Sequence, residues 1–150
     1  MNTTMEKVNT MDFTKHTNRE LADLMQGLIN VKDLKGVKFS LQVSKNINLI
    51  KAELEHIEEA AKPSEEFLEI AKLVQAIEAS GKEKEEMEVE VAKIEKDNAE
   101  LVASRKKQID EFNELLLEEI EISLFKVSES HLPEDITTQQ IIDISKIIKE

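Results

Sequence analysis

A chain of 150 residues is long enough for one ordinary domain with a sizeable buried core. Only 3 Gly and 2 Pro punctuate a composition of Leu, Ile, Val, Ala, Glu and Lys, which argues for a few long helices and against a loop-rich sandwich or barrel. Thirty-two acidic against 20 basic side chains give a net charge of -12, which repels nucleic-acid phosphates and anionic membranes, and the absence of Cys excludes disulfides, thiolate metal sites and Cys nucleophiles.

In chain order, a polar lead over 1–16 contains Val8, Met11 and Phe13. Thr17-Asn18-Arg19-Glu20 then has the Thr-x-x-Glu spacing in which each end satisfies a free amide of a first helical turn, so a helix is expected to start at Thr17. Leu21, Leu24, Met25, Leu28 and Ile29 recur at threes and fours and form its apolar stripe. Lys35-Gly36 breaks the pattern. From Val37 a second helix is predicted to run toward Lys62, with Val43, Ile47, Ile50, Leu54, Ile57 and Ala61 alternating at four and three. Pro63 blocks continuation, and Ser64 with Glu65 and Glu66 signals a restart. Phe67, Ile70, Val74 and Ile77 carry the stripe to Ser80-Gly81, where a reversal is expected.

Beyond the reversal, a long return helix over 82–119 places Met87, Val91, Ile94, Asn98, Leu101, Arg105, Gln108, Phe112 and Leu115 in heptad phase. Segment 120–150 holds a β-rich tract, Ile120 to Val127, which as a lone strand needs a partner; the lead from Val8 to Phe13 would supply it and bring the two ends of the chain together. Pro133 and the capping box from Thr137 to Gln140 introduce a closing helix with Ile141, Ile142, Ile144, Ile147 and Ile148. The expected fold is mainly α: an antiparallel, coiled-coil-like hairpin of long helices with flanking shorter helices and one small β element, in a single helical domain over 1–150. In this hairpin Ile50, Leu54 and Ile57 would pack on Val91, Ile94 and Leu101, within one chain or between two copies in a homo-oligomer.

Polar residues interrupt the seam at Asn98, Arg105 and Gln108, and a polar contact that sets register is the expected role of Asn98. Arg105-Lys106-Lys107 is the only basic run and reads as a solvated face paired with neighbouring Glu. The acidic runs Glu85, Glu86, Glu88 and Glu90, and Glu118, Glu119 and Glu121, form an acidic surface suited to binding a protein that itself handles nucleic acid; solvated helix faces would look the same. His16, His56 and His131 stand far apart, and Glu53 and Glu59 around His56 are a sparse pattern on a Glu-rich helix, so no metal set is expected. Gly27, Gly36 and Gly81 are isolated, which leaves no phosphate loop, and no Gly-x-Ser-x-Gly elbow accompanies the serines. Neither catalytic residues nor a cofactor are therefore expected. With no run of apolar residues long enough for a membrane span, and no basic-then-apolar leader at Met1 to Glu6, a cytoplasmic protein is expected.

Three segments carry a family resemblance: Thr17-Asn18-Arg19-Glu20-Leu21; Leu34-Lys35-Gly36-Val37-Lys38-Phe39 running into Val43-Ser44-Lys45-Asn46-Ile47; and Leu132-Pro133-Glu134-Asp135-Ile136-Thr137 before an Ile-rich end. Together they resemble a family of small helical proteins of undefined function encoded by tailed bacteriophages. The charged central region lies outside these segments. The resemblance implies a viral origin, with the host-cell cytoplasm as location, and brings no catalytic residues. A protein that binds a host or phage protein and inhibits or redirects it is the expected function, with an enzyme of nucleic-acid metabolism or host defence as target; a structural or assembly component of the virion is the alternative.

Overall fold

The computed structural model describes residues 13–149 and divides them into two compact units. The first comprises 13–56 and 115–149, and the second Ile57–Glu114. The fold is mainly helical, with six α-helices and a small antiparallel sheet near the chain ends, as expected.

Strand β1 (Phe13–Thr17) leads into α1 (Asn18–Val31) through the predicted capping box, in which Thr17 Oγ1 accepts from the Glu20 amide at 3.1 Å and Glu20 Oε1 accepts from the Thr17 amide at 2.9 Å. Leu21, Leu24, Leu28 and Val31 of α1 are buried, whereas Ile29 falls off the stripe and is exposed. Gly36, at φ +134, makes the break before α2 (Val37–Ala61), which buries Phe39, Val43, Ile50 and Leu54 in the first unit. Strand β2 (Glu119–Ser123) pairs antiparallel with β1, from Phe13 opposite Ser123 to Thr17 opposite Glu119. Of the predicted partner segment from Val8 to Phe13, Phe13 is among the described residues and pairs as expected, and the pairing continues to Thr17. Val8 and Met11 lie outside the described residues.

The β-rich tract divides after Ser123, and a second strand β3 (Val127–Ser128) pairs in parallel with β4 (Ile148–Lys149). The closing helix is short. After the Thr137/Gln140 capping box, α6 runs only over Thr138–Asp143, and the chain then tightens into a 3-10 turn over Ser145–Ile147. Ile144 and Ile147 reach the core but Ile142 is exposed, because the turn changes the period of the Ile-rich face. α1 and α6 approach closely at Gly27, where an added Cβ would lie 3.0 Å from the Asp143 carbonyl oxygen.

Two short sheets of this size are marginal alone, and buried polar groups join their connections to the helices. Asn46, wholly buried on α2, donates to the Phe125 carbonyl and accepts from its amide, both at 2.8 Å. Asn18 donates through Nδ2 to the Leu115 carbonyl at 2.8 Å and through its amide to the Glu118 carbonyl at 3.0 Å.

In the second unit Ser64 caps α3 (Glu65–Glu78) by accepting from the Phe67 amide at 3.1 Å. Gly81, at φ +78, turns the chain back, and α4 (Lys84–Asp97) packs on α3. The return helix is broken rather than continuous. Asn98 leaves helical geometry at φ -122 and ψ 34 and donates to the Ile94 carbonyl at 2.9 Å, and α5 (Ala99–Leu117) follows. Asn98 therefore ends a helix instead of bridging two. The short Gly81 turn lays α4 against α3, so Val91 and Ile94 belong to the second unit, while Ile50 and Leu54 belong to the first.

Candidate protein-interaction surface

α4 starts without a side-chain cap and draws its apolar residues from every fourth or third position, among charged neighbours. No residue of α4 or α5 is buried, and Met87, Val91, Ile94 and Leu101 each remain half-buried. One neighbouring helix in a two-layer hairpin covers only part of such a stripe. A groove of about 330 Å³ follows, lined by Met87, Val91 and Ala92 and by the charged Glu78, Lys84, Glu88 and Glu95.

On the outer side Val89 is 69% exposed, and helical spacing puts Glu85 and Glu86 one turn before it on the same face. Leu68 and Leu73 on α3 and Ile109 on α5 are further exposed apolar side chains of the unit. An apolar centre with a charged rim is the composition of a protein-binding patch.

The predicted acidic residues fall in both units. Glu85, Glu86 and Glu88 are exposed on α4; Glu90 is half-buried and pairs with Lys82 at 2.6 Å across the turn side of the hairpin, which raises the Lys82 pKa through that hydrogen bond. Glu118, Glu119 and Glu121 are exposed in the first unit, the last two on β2, where alternation turns Ile120 and Ile122 the other way.

In the Arg105-Lys106-Lys107 run, Lys106 and Lys107 are exposed, while Arg105 has a use other than pairing with Glu. Arg105 donates to the Ala61 carbonyl at 2.6 Å and to Gln108 Oε1 at 2.8 Å, and its guanidinium lies 5.9 Å from the Phe67 ring centre. Gln108 donates to the carbonyls of Ala60 and Lys62 at 2.7 and 2.8 Å. Both side chains thus satisfy the carbonyls that Pro63 leaves without a helical donor at the end of α2. The interruptions of the heptad seam at Arg105 and Gln108 are the cap of another helix.

Comparison with protein-family models, curated proteins and solved structures gives no match.

His16 is half-buried on β1, hydrogen-bonded to Thr14 Oγ1 at 2.6 Å, while His56 and His131 are exposed. Glu59 pairs with Lys62 at 2.7 Å, and no group of three or more His, Asp or Glu side chains is placed to hold a metal ion among the described residues. Among the same residues, no helix is long and apolar enough to cross a membrane.

Proposed function

We propose that the chain is a phage-encoded, non-enzymatic protein that binds a host or phage protein through the α3–α4 hairpin and inhibits or redirects it. The observation that carries this reading is a helix, α4, that buries none of its residues yet displays Val89 beside Glu85 and Glu86 and opens an apolar groove whose charged edge, Glu78, Lys84, Glu88 and Glu95, is mostly acidic. A partner with an apolar centre and a basic rim fits that surface. Proteins that handle nucleic acid have such rims, and the net charge of -12 adds long-range attraction to them. Binding at an exposed helix face requires no reacting group, in keeping with a non-enzymatic role. The phage assignment rests on the resemblance of the Thr17, Leu34 to Ile47 and Leu132 to Thr137 segments.

A second reading, a structural or assembly component of the virion, is favoured by the heptad phase that runs from Met87 through Leu101 to Leu115 with its apolar residues only half-buried. A second copy could cover it.

The test is affinity capture from nuclease-treated bacterial lysate with the tagged chain and with Val89→Glu, alongside light scattering of the purified protein. Val89 is exposed, so the variant folds. One abundant host protein retained by the parent chain and lost by the variant is the expected result. Capture of nothing but the chain itself, together with a defined oligomer that Val89→Glu dissociates, would transfer the assignment to assembly.

A further inference from the structure

The first unit contains a basic cleft that no run of sequence announces. Lys38, Leu41 and Gln42 lie at i, i+3 and i+4 on the opening turns of α2, Lys126 and Val127 come from the loop into β3, and Lys149 from β4. With Ser128 and His131 they enclose a cavity of about 270 Å³. Among the described residues no carboxylate lines it, although the chain has 32 acidic residues.

The lysines are set in place by the backbone that carries them. Asn46 grips both polar groups of Phe125, and Gln42 Nε2 donates to the Lys126 carbonyl at 2.9 Å, so the loop is tied to α2 on either side of the Lys126 side chain. Ser128 pairs with Lys149 in the parallel β3–β4 ladder. The Lys126 ammonium donates to the Lys146 carbonyl and keeps two of its three N–H groups for another acceptor.

Two electrostatic features set the cleft apart. Lys72, Lys82 and Lys146 each pair with a glutamate, whereas no ion pair joins Lys38, Lys126 or Lys149 to a carboxylate among the described residues. The helix starts show the same contrast. α1, α3, α4 and α5 each carry Glu in the first turn, where the helix dipole favours negative charge; α2 and the short α6 carry none there, and α2 has Lys38 instead. Several cations gathered at the positive end of a long helix repel one another until an anion joins them.

We propose that this cleft binds a small phosphate ester, with Lys38, Lys126 and Lys149 around the phosphate and Leu41 and Val127 against its body. The size suits a compact ligand, below the usual range of about 300 to 1,000 Å³ for drug-sized molecules. Among the described residues no Phe, Tyr or Trp lines the cavity and His131 is its one ring, and at this compact size a phosphorylated sugar or polyol fits better than a nucleotide. Gln42 and Ser128 supply neutral hydrogen-bonding groups of the kind that hold hydroxyls. The site is independent of the hairpin surface.

The experiment is a two-dimensional amide NMR titration of the full chain at low ionic strength with ribose 5-phosphate, with pyrophosphate and with uncharged ribose. Saturable shifts at Gln42, Val127, Ser128 and His131 are expected with both phosphates and not with ribose. Lys126→Gln and Lys149→Gln should each weaken binding about tenfold, the loss expected for one charge-assisted contact. Lys51→Gln, on the exposed side of α2, makes the same change in net charge and should leave affinity unchanged. Because Lys126 also ties the loop to Lys146, Lys149→Gln is the decisive variant. Absence of saturable shifts with either phosphate, or an equal loss in Lys51→Gln and Lys149→Gln, would overturn the assignment; saturation by pyrophosphate alone would overturn the ester in favour of an inorganic anion.

Discussion

Asn46 has no solvent exposure, and its amide replaces, for Phe125, the backbone pairing that the chain lacks between β2 and β3. Asn46→Ala leaves the partly buried Phe125 amide and carbonyl without their partner, and a loss of about 1 to 3 kcal/mol is expected in urea denaturation. Asn46→Asp should be at least as damaging, since a carboxylate can accept from the Phe125 amide but cannot donate to its carbonyl. Glu20 joins its capping role to an ion pair with Lys146 at 2.7 Å; that hydrogen bond, more than any other influence, lowers its pKa from 4.5 to about 2. A carboxylate depressed on folding contributes stability above its unfolded pKa and loses it as pH falls toward the folded one, so the Glu20 contribution should fade between about pH 4.5 and 2. His16 titrates in a higher window. Burial lowers its pKa below 6.5, with the Lys146 charge adding to the shift, so the unfolded chain takes up the proton first and stability should fall as pH drops below about 6.5. His16→Gln should flatten the melting temperature between pH 7 and 5, and Glu20→Gln should flatten only the more acidic limb. An unaltered profile in His16→Gln would show that the ring is not held neutral by the fold. A buried Asn on an apolar stripe is invisible to hydrophobic periodicity, whereas the Thr17 and Thr137 capping boxes were legible because both partners lie within one turn.

Among the elements, local signals predicted ends better than neighbours. The Pro63 stop, the Ser64 restart and the Gly81 reversal all appear in the structure, since each is a property of the backbone at that residue. Heptad phase marks which side of a helix is apolar and is silent on what covers it. Hence the packing of α4 on α3 follows from the Gly81 turn rather than from heptad phase, and hence the break at Asn98, which needs no Gly or Pro, went unread. This distinction has a measurable consequence. Leu54 is 6% exposed and Ile94 is only half-buried. Leu54→Asp should cost about 3 to 5 kcal/mol, enough to unfold a domain of ordinary stability, while Ile94→Asp should cost about 1 to 2 kcal/mol. Circular dichroism melts of the two variants would check this, and equal losses would mean that the hairpin seam is as dry as the core.

At the scale of the whole molecule, burial is concentrated in one of the two units. α1 alone holds Leu21, Leu24, Leu28 and Val31 out of water, whereas α4 and α5 bury nothing. Local opening follows buried contact, so amide hydrogen exchange should be slowest in α1 and the Phe39 to Leu54 part of α2 and markedly faster through α4 and the start of α5. Uniform protection along the chain would refute the contrast and would weaken the case for an uncovered hairpin. A hairpin that completes its packing only with a partner should also slow its exchange when that partner binds.

The sequence by itself determined the helical class, the caps, the reversal and the acidic balance, because these depend on residues within a turn or two of one another or on composition alone. Only the tertiary structure decided that α4 lies on α3, that Arg105 and Gln108 close the end of α2, and that Lys38, Lys126 and Lys149 meet around one cleft. Those groups are far apart along the chain, and only the folding of the whole chain sets the distance between them.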